Sequence, residues 1–193
     1  MSLDFCAVDF ETANRYRHSA CQVGMARVVD GTIIESWSTM IAPPADELGF
    51  EEMCTTVHGI DASMVSDAPG FAAVAPEIFA FADGLPLLAH NASFDSAVMS
   101  RTAEKVGVRL PQIRFGCTLA MARAIVPGLP SYRLGPLYSE LSGIETQSLH
   151  HAEADAVLCA SSAVHLVRRS GAYDVADLVL LSRAGWRQIG EVL

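Results

Sequence analysis

The sequence predicts an α/β fold on three observations. A short apolar run, Leu3-Asp4-Phe5-Cys6-Ala7-Val8, leads into Asp9-Phe10-Glu11-Thr12, and a second, Leu85-Pro86-Leu87-Leu88-Ala89, leads into His90-Asn91-Ala92-Ser93-Phe94-Asp95. Each is short enough for a buried strand and ends in polar residues. The third is a stretch from about His151 to Arg169 whose apolar positions (Ala152, Ala156, Val157, Ala160, Ala163, Val164, Val167) recur every three or four residues, as one buried helical stripe requires.

In chain order, Phe5 to Val8 predicts a strand on which Asp9 and Glu11 share a face while Val8 and Phe10 take the other. Two carboxylates side by side at the end of an apolar strand repel each other and lose hydration, so they call for a hard divalent cation; otherwise they merely flank a loop. Ala13 to His18 reads as a polar loop, where Arg15, Arg17 and His18 either meet phosphates or are simply solvated. Ala20 to Val29 and Thr32 to Ile41 read as strands joined by the hairpin pair Asp30-Gly31. Phe50 to Val57 predicts a short helix closed by His58-Gly59, and Phe71 to Ala82 another, broken by Asp83-Gly84.

Ser93 is the expected N-cap of a helix over 93–106, which puts Asp95 in the first turn, where the helix dipole favours a carboxylate. A short strand is expected within Val108 to Gly116, then helices over Thr118–Ile125 and Leu134–Leu141. Asp155 falls on the buried stripe of the last long helix, where an acid is costly unless paired or metal-bound. The tail from Tyr173 to Leu193 predicts one or two amphipathic helices.

The 193 residues suit one domain, and 51% hydrophobic with 18% charged residues makes it globular rather than disordered. No apolar run is long enough for a membrane span, and Met1-Ser2-Leu3-Asp4 lacks the basic region of a signal peptide. Five widely spaced cysteines without Cys-x-x-Cys argue against a disulfide framework or zinc site and predict a cytoplasmic setting. The net charge of −9 argues against a broad footprint on duplex nucleic acid but not against a small site gripping one strand end through cations.

Asp9-Phe10-Glu11-Thr12, His90 through Asp95, and His150-His151-Ala152-Glu153-Ala154-Asp155 stand in the order and spacing of the three motifs of the DEDDh exonucleases. Val57-His58-Gly59-Ile60 and the stretch from Thr118 to Leu134 lie between them as in that family. Over about Leu3 to Arg169 the chain resembles the exonuclease domain of the DNA polymerase III epsilon subunit. The resemblance implies a ribonuclease H-like fold, with a five-stranded mixed β-sheet flanked by α-helices. It implies an exonuclease domain over 1–170 with a helical tail over 171–193 packed on it or extending it.

It also implies two divalent cations, Mg²⁺ or Mn²⁺, held by Asp9, Glu11, Asp95 and Asp155, with Asp9 bridging. The family spacing His-x-Ala-x-x-Asp selects His150 as general base, whereas helix geometry alone favours His151, one turn before Asp155. Thr12, His58, Asn91 and Phe94 match positions that hold the terminal nucleotide; Phe94 is otherwise core. The implied reaction is 3′–5′ hydrolysis of single-stranded or frayed DNA ends. The alternatives are RNA ends, or a catalytically silent module that binds strand ends. The tail resembles neither a polymerase-binding segment nor a sliding-clamp peptide, which favours a stand-alone exonuclease. Oligomeric state is left open.

Overall fold

The computed structural model describes residues 3–45, 49–146 and 150–191. Three strands come first: β1 (Phe5–Thr12), β2 (Ala20–Val29) and β3 (Thr32–Met40). The β2–β3 hairpin turns on Asp30 and Gly31, both with positive φ (49° and 72°), as a tight two-residue connection demands. Helices α1 (Glu52–His58) and α2 (Phe71–Ala82) follow, then β4 (Leu87–Ala89), α3 (Ala92–Val106), β5 (Ile113–Cys117), α4 (Thr118–Ile125), α5 (Leu134–Ser142), α6 (Ala152–Ser170), α7 (Val175–Ser182) and β6 (Arg187–Ile189).

The strands form one mixed sheet in the order β3-β2-β1-β4-β5-β6. β1, β4 and β5 run parallel, while β2, β3 and β6 pair antiparallel with their neighbours. Six strands replace the expected five because the tail supplies β6, which pairs with the edge of β5. A segment of three residues has too little pattern of its own to announce a strand; the free edge it covers decides its conformation.

Alternation along β1 sorts the chain into two cores. Cys6, Val8 and Phe10 pack with Phe71, Val74 and Ile78 of α2 and Val98 and Met99 of α3. Phe5 and Ala7 pack on the other face with Met121, Leu137, Ala156 and Ala160 of α4, α5 and α6. Asp9 and Glu11 continue the odd-numbered set, so their side chains leave the strand toward α6.

Helix α3 begins at Ala92, one residue earlier than expected, and Asn91 rather than Ser93 takes the cap position. Asn91 is left-handed there (φ 71°, ψ 54°), a conformation asparagine tolerates better than most residues, and its Oδ1 accepts the Ser93 hydroxyl (2.9 Å).

Candidate active site

The site sits at the carboxyl ends of β1 and β4, where parallel strands of an open α/β sheet leave a crevice. Three elements converge on it. β1 brings Asp9 and Glu11, α6 brings Asp155 from one face of the sheet, and α3 brings Asp95 from the other. Asp9, Glu11 and Asp155 each place a carboxylate oxygen within 4.8 Å of the others. Asp95 is 1% exposed and accepts the Phe10 backbone N–H at Oδ1 (3.1 Å), between the two β1 acids.

The electrostatics follow from this crowding. Burial is the main cause that raises Asp9 well above the usual carboxylate range, and Asp95, Glu11 and Asp155 add to it. Glu11 is pushed up to about 8 by burial, then by Asp155 and Asp95. Asp95 is pushed up to about 7 by burial, against the opposing pull of the Phe10 N–H, its own N–H and Arg17. Asp155 is also raised by burial, while His150 and His151 oppose the rise. Four acids crowded into one crevice ionise together only where positive charge offsets their repulsion.

The start of α6 is fastened to the sheet by contacts that hydrophobic patterning does not reveal. Opposite Asp9 on β2 stands Gly24, and opposite Glu11 stands Gln22. A Cβ at Gly24 would lie 2.0 Å from the Ala152 carbonyl carbon, so the first turn of α6 rests directly on the strand backbone. Gln22, 3% exposed, accepts the Ala152 N–H at Oε1 (3.2 Å), and its Nε2 stands 3.5 Å from His151 Nε2. From β3, the Ser36 and Ser38 hydroxyls donate to Glu153 (2.6 and 2.8 Å). Gln22 was recognisable in the sequence as a polar residue within an apolar strand; the serine–glutamate link, spanning more than a hundred residues, left no local signal.

The two histidines before α6 differ in setting. His151 is the helix N-cap and is turned to Gln22. Both are exposed and within electrostatic reach of Asp155, but His150 takes a left-handed conformation (φ 38°) and also reaches His58. His58 accepts the Ile60 N–H at Nδ1 (3.0 Å), which leaves Nε2 to donate to the Thr12 carbonyl (3.1 Å). Burial holds it below the usual imidazole range, and His150 adds to that.

Thr12 is therefore joined to His58, while Asn91 is exposed at the head of α3. Phe94 is half-buried against the α2–α3 core, with the Arg17 guanidinium 4.1 Å from its ring centroid. Arg15 forms an ion pair with Glu51, which accounts for one of the loop cations.

The six-stranded mixed sheet, with four acids gathered near the carboxyl end of its first strand, has the fold and the acidic crevice expected of a ribonuclease H-like exonuclease domain. The family model for exonucleases of the RNase_T type matches residues 6–161, and the chain belongs to that family.

The 3′–5′ exonuclease DinG of Bacillus subtilis is 31% identical over 155 residues, which are 79% of this chain and 16% of that protein. The DNA polymerase III epsilon subunit of Aquifex aeolicus is 26% identical over 184 residues, 93% of this chain and 88% of that one. Exonuclease X, solved in complex with 5′ overhanging duplex DNA, superposes with a TM-score of 0.73 over 92% of this chain and 98% of its own, at 23% identity, and shares the fold. Several curated relatives are much longer proteins, of which this chain spans 10%, 16% and 23%.

Proposed function

We propose that this chain hydrolyses the terminal phosphodiester of single-stranded or frayed DNA 3′ ends, releasing nucleoside monophosphates, with RNA ends as the alternative substrate. The observation that carries the reading is the convergence of Asp9, Glu11 and Asp155 on one 4.8 Å cluster with the buried Asp95 behind it. Oxygen donors alone, all resisting ionisation, fit hard divalent cations such as Mg²⁺ or Mn²⁺. Asp9, Glu11, Asp95 and Asp155 would hold two of them. When bound, such a pair supplies a more acidic attacking water and a counter-charge for the leaving 3′ oxygen.

The chain's own groups supply the rest. His150, in its neutral form, accepts the proton of the attacking water. Both histidines are exposed and within electrostatic reach of Asp155; the family spacing favours His150, and the engagement of His151 with Gln22 argues against the neighbour. The N–H of Phe10 fixes Asp95, and the Gly24, Gln22, Ser36 and Ser38 contacts fix the turn of α6 that carries Asp155. Thr12, His58, Asn91 and Phe94 are assigned to the terminal nucleotide. A net charge of −9 leaves little surface on which to track a duplex, which favours a free strand end.

The test uses single-stranded DNA and RNA labelled at the 5′ or the 3′ end, with Mg²⁺, Mn²⁺ or EDTA. The expected result is a ladder of shortening 5′-labelled strands and early release of the 3′ label as a mononucleotide, abolished by EDTA. Internal cleavage, or shortening from the 5′ end, would overturn the reading.

A further inference from the structure

A second feature stands on the same edge of the sheet, and the acidic site does not use it. An open cavity of about 470 Å³ lies where β5, α3, α4 and the start of β6 meet; Ala92, Ser93, Phe115, Cys117, Trp186 and Arg187 are among its lining residues. Ala92 and Ser93 belong to the first turn of α3, the turn that carries Asp95. Cys117 ends β5, which runs parallel to β4 and β1, so cavity and acids share the carboxyl edge. Two strand spacings, roughly 10 Å, separate β5 from β1.

The chemistry of this cavity is opposite to that of the chain as a whole. Among the described residues that line it there is no carboxylate, although the chain carries a net charge of −9. Trp186 is half-buried, with the Arg114 guanidinium 5.2 Å from its ring centroid. Arg187 is in the lining, and Arg183 lines the adjoining groove together with Trp186 and Asp177. Among the described residues none of these three arginines has a carboxylate within ion-pair distance, whereas Arg15, Arg27 and Arg101 all do. An aromatic ring with one guanidinium against it and a second, free of a carboxylate partner, in the same cavity suits a base stacked on the ring and a phosphate beside it, the combination single-stranded nucleic acids require.

We propose that this cavity binds the strand upstream of the scissile nucleotide, with a base stacked on Trp186 and a backbone phosphate met by Arg187. The proposal rests on the exonuclease reading for its polarity: with the 3′ end among the acids, only the 5′ portion of the strand is left to reach Trp186. Residues 184–187 lie beyond the matched family segment, so the cavity depends on the tail of this chain.

The test reads binding apart from catalysis. In a Trp37→Phe background Trp186 is the remaining tryptophan, and its fluorescence is titrated with oligothymidylates of two, four and eight nucleotides, and with matching oligouridylates, each closed at the 3′ end by a phosphorothioate linkage. Quenching by the octamer of either sugar, but not by the dimer, supports the site. Read by the anisotropy of 5′-fluorescein-labelled strands, Arg187→Ala should raise the octamer Kd, lower the slope of log Kd against log salt by about one, and leave the dimer Kd unchanged. By the same anisotropy readout, Trp186→Ala should weaken the octamer by roughly 5- to 150-fold, the range for losing one stacking aromatic; should that variant fail to fold, the Arg187 slope still decides. Absence of quenching together with an unchanged Arg187→Ala slope overturns the proposal. Quenching without hydrolysis of any strand would instead overturn the exonuclease reading and leave this site standing.

Discussion

Replacing Gly24 by alanine puts a methyl group into space occupied by the backbone of α6. The new Cβ would lie 2.0 Å from the Ala152 carbonyl carbon, 2.2 Å from its oxygen and 2.2 Å from Glu153 N. Ordinary contact begins near 3.4 Å, so the first turn of α6 must retreat by more than an ångström, and it is backbone rather than a pliable side chain that has to move. Asp155 lies in that first turn and His150 and His151 immediately before it. A misplacement of about 1 Å at reacting groups costs on the order of 10²-fold in rate. Overpacking costs about 1–3 kcal/mol, which for a domain of this size lowers Tm by roughly 2–12 °C.

The assay is turnover on a 3′-labelled single strand with saturating Mg²⁺, beside a thermal melt. Gly135→Ala serves as control: its Cβ would meet only Thr146 Cγ2 at 3.7 Å, inside α5, and alanine there should be neutral or stabilising by about 0.5–1 kcal/mol. If Gly24→Ala keeps turnover within threefold of wild type and an unchanged Tm, α6 is not positioned by this contact and the account of the site fails.

Further outcomes follow from the same geometry. His150→Ala should lose about 10²- to 10⁴-fold in turnover while the midpoint of the Mg²⁺ titration stays put, and His151→Ala should be nearly silent; the reverse ranking would transfer the base to His151. Glu11 and Asp95 have folded-state pKa values of about 8 and about 7, raised above unfolded values near 4, so the metal-free fold binds more protons than the unfolded chain and loses stability as pH rises from about 4 to about 8. Melts in EDTA should therefore show Tm falling across that window, and Mg²⁺ should restore more at pH 8 than at pH 5; a flat profile would contradict the crowding. Asp9→Asn removes one repelling charge and should raise the metal-free Tm at pH 8 while abolishing turnover, a combination that simple damage to the fold does not produce.

The sequence by itself determined the local elements and the facing of β1. Period-two alternation placed Asp9 and Glu11 opposite Val8 and Phe10, and the three- and four-residue spacing drew the stripe of α6, because each signal is written within a few residues. The bounds of α2 and α4 were legible for the same reason, stopped by Asp83-Gly84 and Pro127-Gly128. Local pattern misread the start of α3, where Ser93 had the better capping chemistry but the chain turns at Asn91. It also misread the end of the tail, where pairing with β5 overrides a three-residue segment's own preference. Only the tertiary structure decided that Asp95 and Asp155 reach β1 from opposite faces, that Gly24 and Gln22 seat the turn bearing Asp155, and that Trp186 comes to the edge shared with the acids. Those distances join residues up to about 130 positions apart, and they are set by how two cores pack against one sheet, which no periodicity along the chain encodes.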